Sequence, residues 1–215
     1  MEKLVIAVDG PSASGKSTVC DLLAKKLNIN HLSSGSLYRA VALYLYENNI
    51  DYDKNIEKYL KDINIDVVFE NYIQKIFLNN EDVTSKLNQE IISTISSIIS
   101  KKEYVRDFIK SLQLMLANKM DIIIDGRDIT SVVLKDAKYK FYIDASCEER
   151  ARRRFLQQQQ KISYEQILED IISRDKRDME RELCPLIKTD DSIVINTDNL
   201  TIEEVVEKMY KIIIK

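Results

Sequence analysis

Residues 4–8 are apolar without a break up to Asp9, the pattern of a strand covered on both faces in a parallel sheet. Further short strands are expected at 29–32, 120–124, 139–143 and 192–195. Between the first two, Val19, Leu22, Leu23 and Leu27 fall at helical spacing and predict an amphipathic helix over 17–27. Further helices are expected over 36–47, 87–99, 103–119 and 201–214. The charged, glycine-free span 147–183 reads as two helices that meet near the glutamine run 157–160, with Pro185 just beyond as a stop. One stretch breaks the rhythm. Ile65, Val67 and Phe69, then Ile73, Ile76 and Leu78, alternate as a hairpin does before a turn at Asn79-Asn80. Strands alternating with helices predict an α/β fold, a parallel five-stranded sheet with helices on both faces and a small β insert.

The strand at 4–8 gains chemical meaning from the loop after it. Gly10, Pro11, Ser12, Ala13, Ser14, Gly15, Lys16, Ser17 and Thr18 fit G-x-x-x-x-G-K-[ST] between a strand and a helix, the context in which that pattern cradles phosphate. Its backbone N–H groups and the helix N-terminus attract an anion. Lys16 can reach the β- and γ-phosphates of a bound ATP, and the Ser17 hydroxyl can ligate an accompanying Mg²⁺. The apolar run that closes on Asp125 resembles the metal-side strand of such proteins.

Composition narrows the picture. The chain has 215 residues, suited to one domain, with 32 basic against 35 acidic side chains and a net charge of −3. No global positive field argues for nucleic acid or an anionic membrane, so an anion site has to be local. No stretch has the length of a membrane span or the form of a signal peptide, and a cytoplasmic protein is expected. Cys20, Cys147 and Cys184 are too far apart for a zinc spacing and odd in number for a disulfide framework. The sole histidine, His31, has no acidic or cysteine partner nearby in sequence and is given no role. Only four glycines occur, where ordinary usage gives roughly 15. Two lie in the phosphate loop; Gly35 and Gly126 mark two further places where backbone could approach a ligand.

A phosphate loop alone does not fix the reaction. The guanine-reading N-K-x-D string is missing, Asn196-Thr197-Asp198-Asn199 lacking its lysine. Arginines are supplied from several segments: Arg39, Arg106, Arg127, the group Arg150, Arg152, Arg153 and Arg154, then Arg174, Arg177 and Arg181. Transfer of a phosphoryl group needs positioned cations above all, so this distribution favours a small kinase. A solvated helix face remains the competing reading for the arginines at 150–154.

GPSASGKST, SSGSLYR at 33–39, EDVT at 81–84, DGRD at 125–128, DASCEERARRR at 144–154 and RDKRDMER at 174–181 together resemble the bacterial cytidylate kinase family, in order and across nearly the whole chain. The resemblance implies the P-loop NTPase fold and transfer of the γ-phosphoryl group of ATP to CMP or dCMP with Mg²⁺. It implies that Ser34, Arg39, Arg127 and Arg181 hold the acceptor phosphate and that Ser97, Arg106 and Asp128 read cytosine. Arg174 and Asp178 match positions that contact the sugar. Lys16, Arg153, Arg154 and Arg177 match positions that neutralise the moving phosphoryl. It further implies a core of 1–62, 86–146 and 183–215, an acceptor-binding insert at about 63–85, a helical lid at about 147–182, and a monomer whose partners are small molecules only. Ser33 departs from the family's usual acid before Ser/Thr-Gly, and 87–89 lacks its usual arginine. Two rivals stay open, a small kinase acting on UMP or AMP and a nucleotide-binding module without chemistry.

Overall fold

The computed structural model describes residues 3–157 and 162–215. Strand β1 (Val5–Asp9) runs into the phosphate loop, followed by α1 (Lys16–Leu27), β2 (Asn30–Ser33) and α2 (Ser34–Glu47). A hairpin of β3 (Ile65–Glu70) and β4 (Ile73–Leu78) comes next, with the two-residue β5 (Glu81–Asp82) laid against β4. Helices α3 (Glu90–Ile99) and α4 (Glu103–Lys119) lead to β6 (Ile122–Gly126) and β7 (Tyr139–Asp144). The chain ends with α5 (Cys147–Gln157), α6 (Tyr164–Glu180), β8 (Ile193–Asn196) and α7 (Ile202–Ile213). Of the glutamine run expected at the α5–α6 junction, residues 158–160 lie outside those described.

The strand order is β3-β4-β2-β6-β1-β7-β8. The pairs β2–β6, β6–β1, β1–β7 and β7–β8 are parallel, which makes the expected parallel sheet of β2, β6, β1, β7 and β8. The hairpin is joined to this sheet. Tyr72 hands its carbonyl to the His31 N–H at 2.9 Å, and His31 pairs with Ile73, so β4 continues the same sheet to eight strands. The hairpin turn Asn71-Tyr72 has both residues at positive φ, 49° and 71°, the twist that tight two-residue hairpins require.

Alternation along each strand splits the core. Ala7, Ile122 and Ile124 face α2, α3 and α4, where Leu37, Val41, Ile95 and Ile109 are shut from water. Ile6, Val8 and Ile123 face the other way and pack with Leu23 of α1 and Met209 of α7. Both faces of the central strands are covered, which is why they read as unbroken apolar runs. Helices α5 and α6 have a small cluster of their own, Ala151, Ile167 and Ile171, with Phe155 and Tyr164 edge to face at 6.3 Å. Among the described residues no helix is long and apolar enough to cross a membrane.

Candidate active site

The carboxyl ends of β1, β2 and β6 form one rim, and the loops leaving them enclose a cavity of about 250 Å³. Two helices point their N-termini at it without side-chain caps or first-turn acids: α1 behind Gly15 and α2 behind Ser33. By contrast α6 and α7 are capped, Ser163 accepting from Gln166 N and Thr201 forming a capping box with Glu204, while α3 and α4, also without side-chain caps, each begin with an acid, Glu90 and Glu103. Uncapped N–H groups and helix dipoles at a cleft are an anion site.

Glycine allows the rim to close. A Cβ on Gly10 would lie 2.2 Å from the Ile143 carbonyl oxygen, so only glycine lets the loop pass β7. A Cβ on Gly126 would come within 2.7 Å of the Ile129 side chain and 3.4 Å of Ser34 Cβ, so the bare backbone brings β6 against the start of α2.

The cavity gathers Ser34, Arg39, Ser97, Arg106, Arg127, Asp128, Arg174, Asp178 and Arg181 around Lys16, although they come from α2, α3, α4, the loop after β6 and the end of α6. Arg106 and Asp128 form a buried ion pair, with Arg181 Nη2 at 3.7 Å from the second oxygen of Asp128. Arg127 Nε donates to Asp178 at 2.9 Å, and Arg39 Nη2 to Ser36 Oγ at 3.1 Å. The buried Nε atoms of Arg39 and Arg106 have no protein acceptor. Burial, then repulsion from Arg127, lowers the Arg174 pKa to about 10, and the same causes lower that of Arg39. Cations crowded to that degree await an anion.

Lys16 is nearly buried, its ammonium donating to the Pro11 carbonyl at 3.0 Å. Burial and neighbouring arginines pull its pKa down to about 7. Ser17 Oγ donates to Asp125 Oδ2 at 2.7 Å. A hydroxyl and a carboxylate side by side at the loop are the hard oxygen donors that Mg²⁺ takes together with phosphate oxygens, so these residues fit that ion.

A second groove, about 660 Å³, lies across the phosphate loop from the first. Gly15, Thr18 and Asn199 line it with Arg153 and Arg154, and Ala13, Lys16 and Ser17 line both spaces. Arg153 is held there by Glu149 Oε1 at 2.8 Å and the Thr197 carbonyl at 2.7 Å. Arg177 stands elsewhere. It is exposed and lines neither space, its Nε 3.3 Å from the Ser173 carbonyl, in a hollow shared with Lys101 and Glu180 on the other side of Arg181.

Several groups that shape the site carry no local signal in sequence. Arg150, one of the arginines open to reading as a solvated face, is 3% exposed. It donates to the Ser12 carbonyl at 2.9 Å and pairs with Asp175 at 2.5 Å, while Asp175 accepts from Ser12 N at 3.2 Å. Both backbone groups of Ser12 are thereby tied to α5 and α6. Asp9, the acid that ends the first apolar run, accepts from Ile129 N at 3.0 Å and from Thr130 N and Oγ1 at 2.7 Å. It thus holds the π-helical turn Ile129–Val133 that comes after Arg127 and Asp128, with its pKa pushed up by burial to about 6. His31, with no acidic partner nearby in sequence, gains two through the fold: Nδ1 lies 2.7 Å from Asp21 and Nε2 3.3 Å from Asp125. Burial alone would lower its pKa, but the two carboxylates override this and hold it at about 9. No sequence pattern reveals these partners, because α1 and β6 supply them from either side of β2.

Residues 6–215 match the family model for cytidylate kinase. The chain is 42% identical to the cytidylate kinase of Fusobacterium nucleatum, over 98% of this chain and 97% of that one. It is 44% identical to that of Thermodesulfovibrio yellowstonii, over 97% of both. Among solved structures it is similar to an uncharacterised protein from Eubacterium ventriosum, with a TM-score of 0.55 at 14% identity, and to a shikimate kinase from Bacteroides thetaiotaomicron, with 0.50 at 12%, each over 99% of both chains. At those identities the likeness is one of fold, here the phosphate-loop kinase fold. The chain belongs to the cytidylate kinase family.

Proposed function

We propose that this protein transfers the γ-phosphoryl group of ATP to CMP or dCMP, giving ADP and CDP or dCDP. The observation that carries the reading is the pair of spaces meeting at Lys16, one lined by arginines from four separate segments, the other running along α5. ATP would lie along the phosphate loop from the second groove, and the monophosphate would fill the first. The transferred group then passes beside Lys16, whose charge follows it from donor to acceptor. Arg39, Arg127 and Arg181, with Ser34, hold the acceptor phosphate; Arg174 and Asp178 hold the sugar. Ser97, Arg106 and Asp128 read cytosine, whose exocyclic amine suits the carboxylate and whose ring nitrogen and carbonyl suit the guanidinium and hydroxyl.

Mg²⁺, when bound, supplies further neutralisation of phosphate charge, with Ser17 as its protein ligand and Asp125 beside it. No general base is needed, because the attacking phosphate oxygen is already ionised at neutral pH. Exclusion of water matters more, since water competes for the phosphoryl group. We read residues 147–182 as the lid that closes over the donor, presenting Arg153 and Arg154, and 63–85 as the acceptor-side insert. Arg177 has to swing inward with the lid to contribute. A cytoplasmic monomer fits this reading.

The deciding experiment is ADP formation from Mg-ATP across CMP, dCMP, UMP, AMP, GMP and shikimate. Fast turnover confined to CMP and dCMP is expected. A preference for another acceptor would overturn the base-reading residues, and ATP binding without turnover on any acceptor would overturn the kinase.

A further inference from the structure

Helix α4 buries an apolar face, Val105, Ile109, Leu116 and Ala117, and within it one uncharged polar side chain, Gln113, at 1% exposure. A buried amide in such a face needs a partner, and it has one: Nε2 donates to Ser34 Oγ at 2.6 Å. Ser34 is itself 3% exposed and lines the acceptor cavity as the first residue of α2. A serine hydroxyl is both donor and acceptor, and in the free state its proton can turn either way. An N–H donated into the oxygen occupies an acceptor lone pair and leaves the O–H nothing to gain by pointing at Gln113. The proton is directed to the cavity, where a phosphate presents only acceptors. Gly126 fixes the geometry from the other side, since its missing Cβ leaves Ser34 Cβ seated on β6.

We propose, resting on the CMP reading, that Gln113 is a positioning residue that makes Ser34 an obligate hydrogen-bond donor to the acceptor phosphate. The role differs from packing in one respect: it acts only through the serine oxygen.

The test is a double-mutant cycle on KM for CMP, with KM for ATP as the internal control and urea midpoints recorded for every variant. Gln113→Met removes the donor at similar volume. It is expected to raise KM for CMP at least 5-fold in the wild-type background and less than 2-fold in the Ser34→Ala background, with KM for ATP unchanged in both. Should Gln113→Met fail to fold, Gln113→Asn, polar but too short to reach Ser34, carries the same expectation. Equal losses in both backgrounds would show that Gln113 acts on the fold and would overturn the proposal, as would no loss in either. A lower KM for CMP would also overturn it, because it would mean that the amide carbonyl had been consuming the serine proton. Wild-type protein that turns over ATP without accepting CMP would overturn the functional reading along with this one, whereas normal wild-type turnover with a failed cycle would remove the proposal alone.

Discussion

The central strands and the α5–α6 pair are held in place by different forces. Ile6, Ile123 and Ile124 are fully excluded from water between two layers of helices. The α5–α6 pair gathers only Ala151, Ile167 and Ile171, and leaves Leu156, Ile172 and Met179 about half exposed. What fastens it to the phosphate loop is mainly polar, Arg150 and Asp175 gripping Ser12, with Ala13 of the loop packed against the small cluster. An apolar sheet opens only when the whole domain unfolds, while a unit held by a few polar ties can open alone. The contrast suits a kinase that must hold its phosphate loop still and yet admit and release nucleotide.

The strongest way to break this comparison is Arg150→Met. It leaves Asp175 buried without its cation, an arrangement that costs about 3–5 kcal/mol. Hydrogen exchange should show protection lost in α5 and α6 and kept in β1 and β6; uniform loss would mean that the pair does not open separately. Next comes Ile123→Ala, expected to cost about 2–5 kcal/mol in urea unfolding because the sheet cannot collapse around the cavity. Ile171→Ala should fall at the low end of that range, about 2 kcal/mol, since a thin helix pair can close the gap.

Charge at the sheet's carboxyl edge sharpens the contrast further. His31 has an ordinary pKa of 6.5 raised in the fold to about 9, so its contribution is complete below 6.5 and is lost as pH rises through 9. Stability should therefore decline between pH 7 and 10, and His31→Gln should flatten that limb of the curve. Asp9, raised from 3.8 to about 6, acts at the other end: its burial penalty is relieved as pH falls through 6. The smallest effect concerns Lys16. With its pKa near 7 in the free protein, polyphosphate binding at pH 8 should draw in up to about one proton, read as a dependence of binding enthalpy on buffer ionisation heat.

Much of this is legible along the chain, for reasons that can be stated. The strands stand out because burial on both faces leaves no polar alternation, and the phosphate loop because its glycines and lysine are consecutive. The residues gathered in the first cavity are legible as a set only through resemblance, since Ser34, Arg106 and Arg181 meet from distant elements. Two kinds of residue escape. Gln113 and Arg150 are polar side chains whose burial is created by tertiary packing, so sequence shows them as ordinary helix surface. His31 reads as isolated because its partners lie 10 and 94 positions away. The alternation at 65–78 shows the hairpin but not its joining to β2, because that depends on the pairing of His31 with Tyr72-Ile73 and on the Gln74 side chain bonding Ser33 N and Ser36, none of which the alternation announces.

The wall shared by the two cavities, formed by Ala13, Lys16 and Ser17, has a consequence for inhibitor design. Cytidine and adenosine joined through a chain of phosphates long enough to pass Lys16 would present the second nucleoside at an effective concentration of roughly millimolar once the first was seated. Such a compound would gain from tethering without any new contact, and it would hold α5 against the loop in the act of bridging the two spaces.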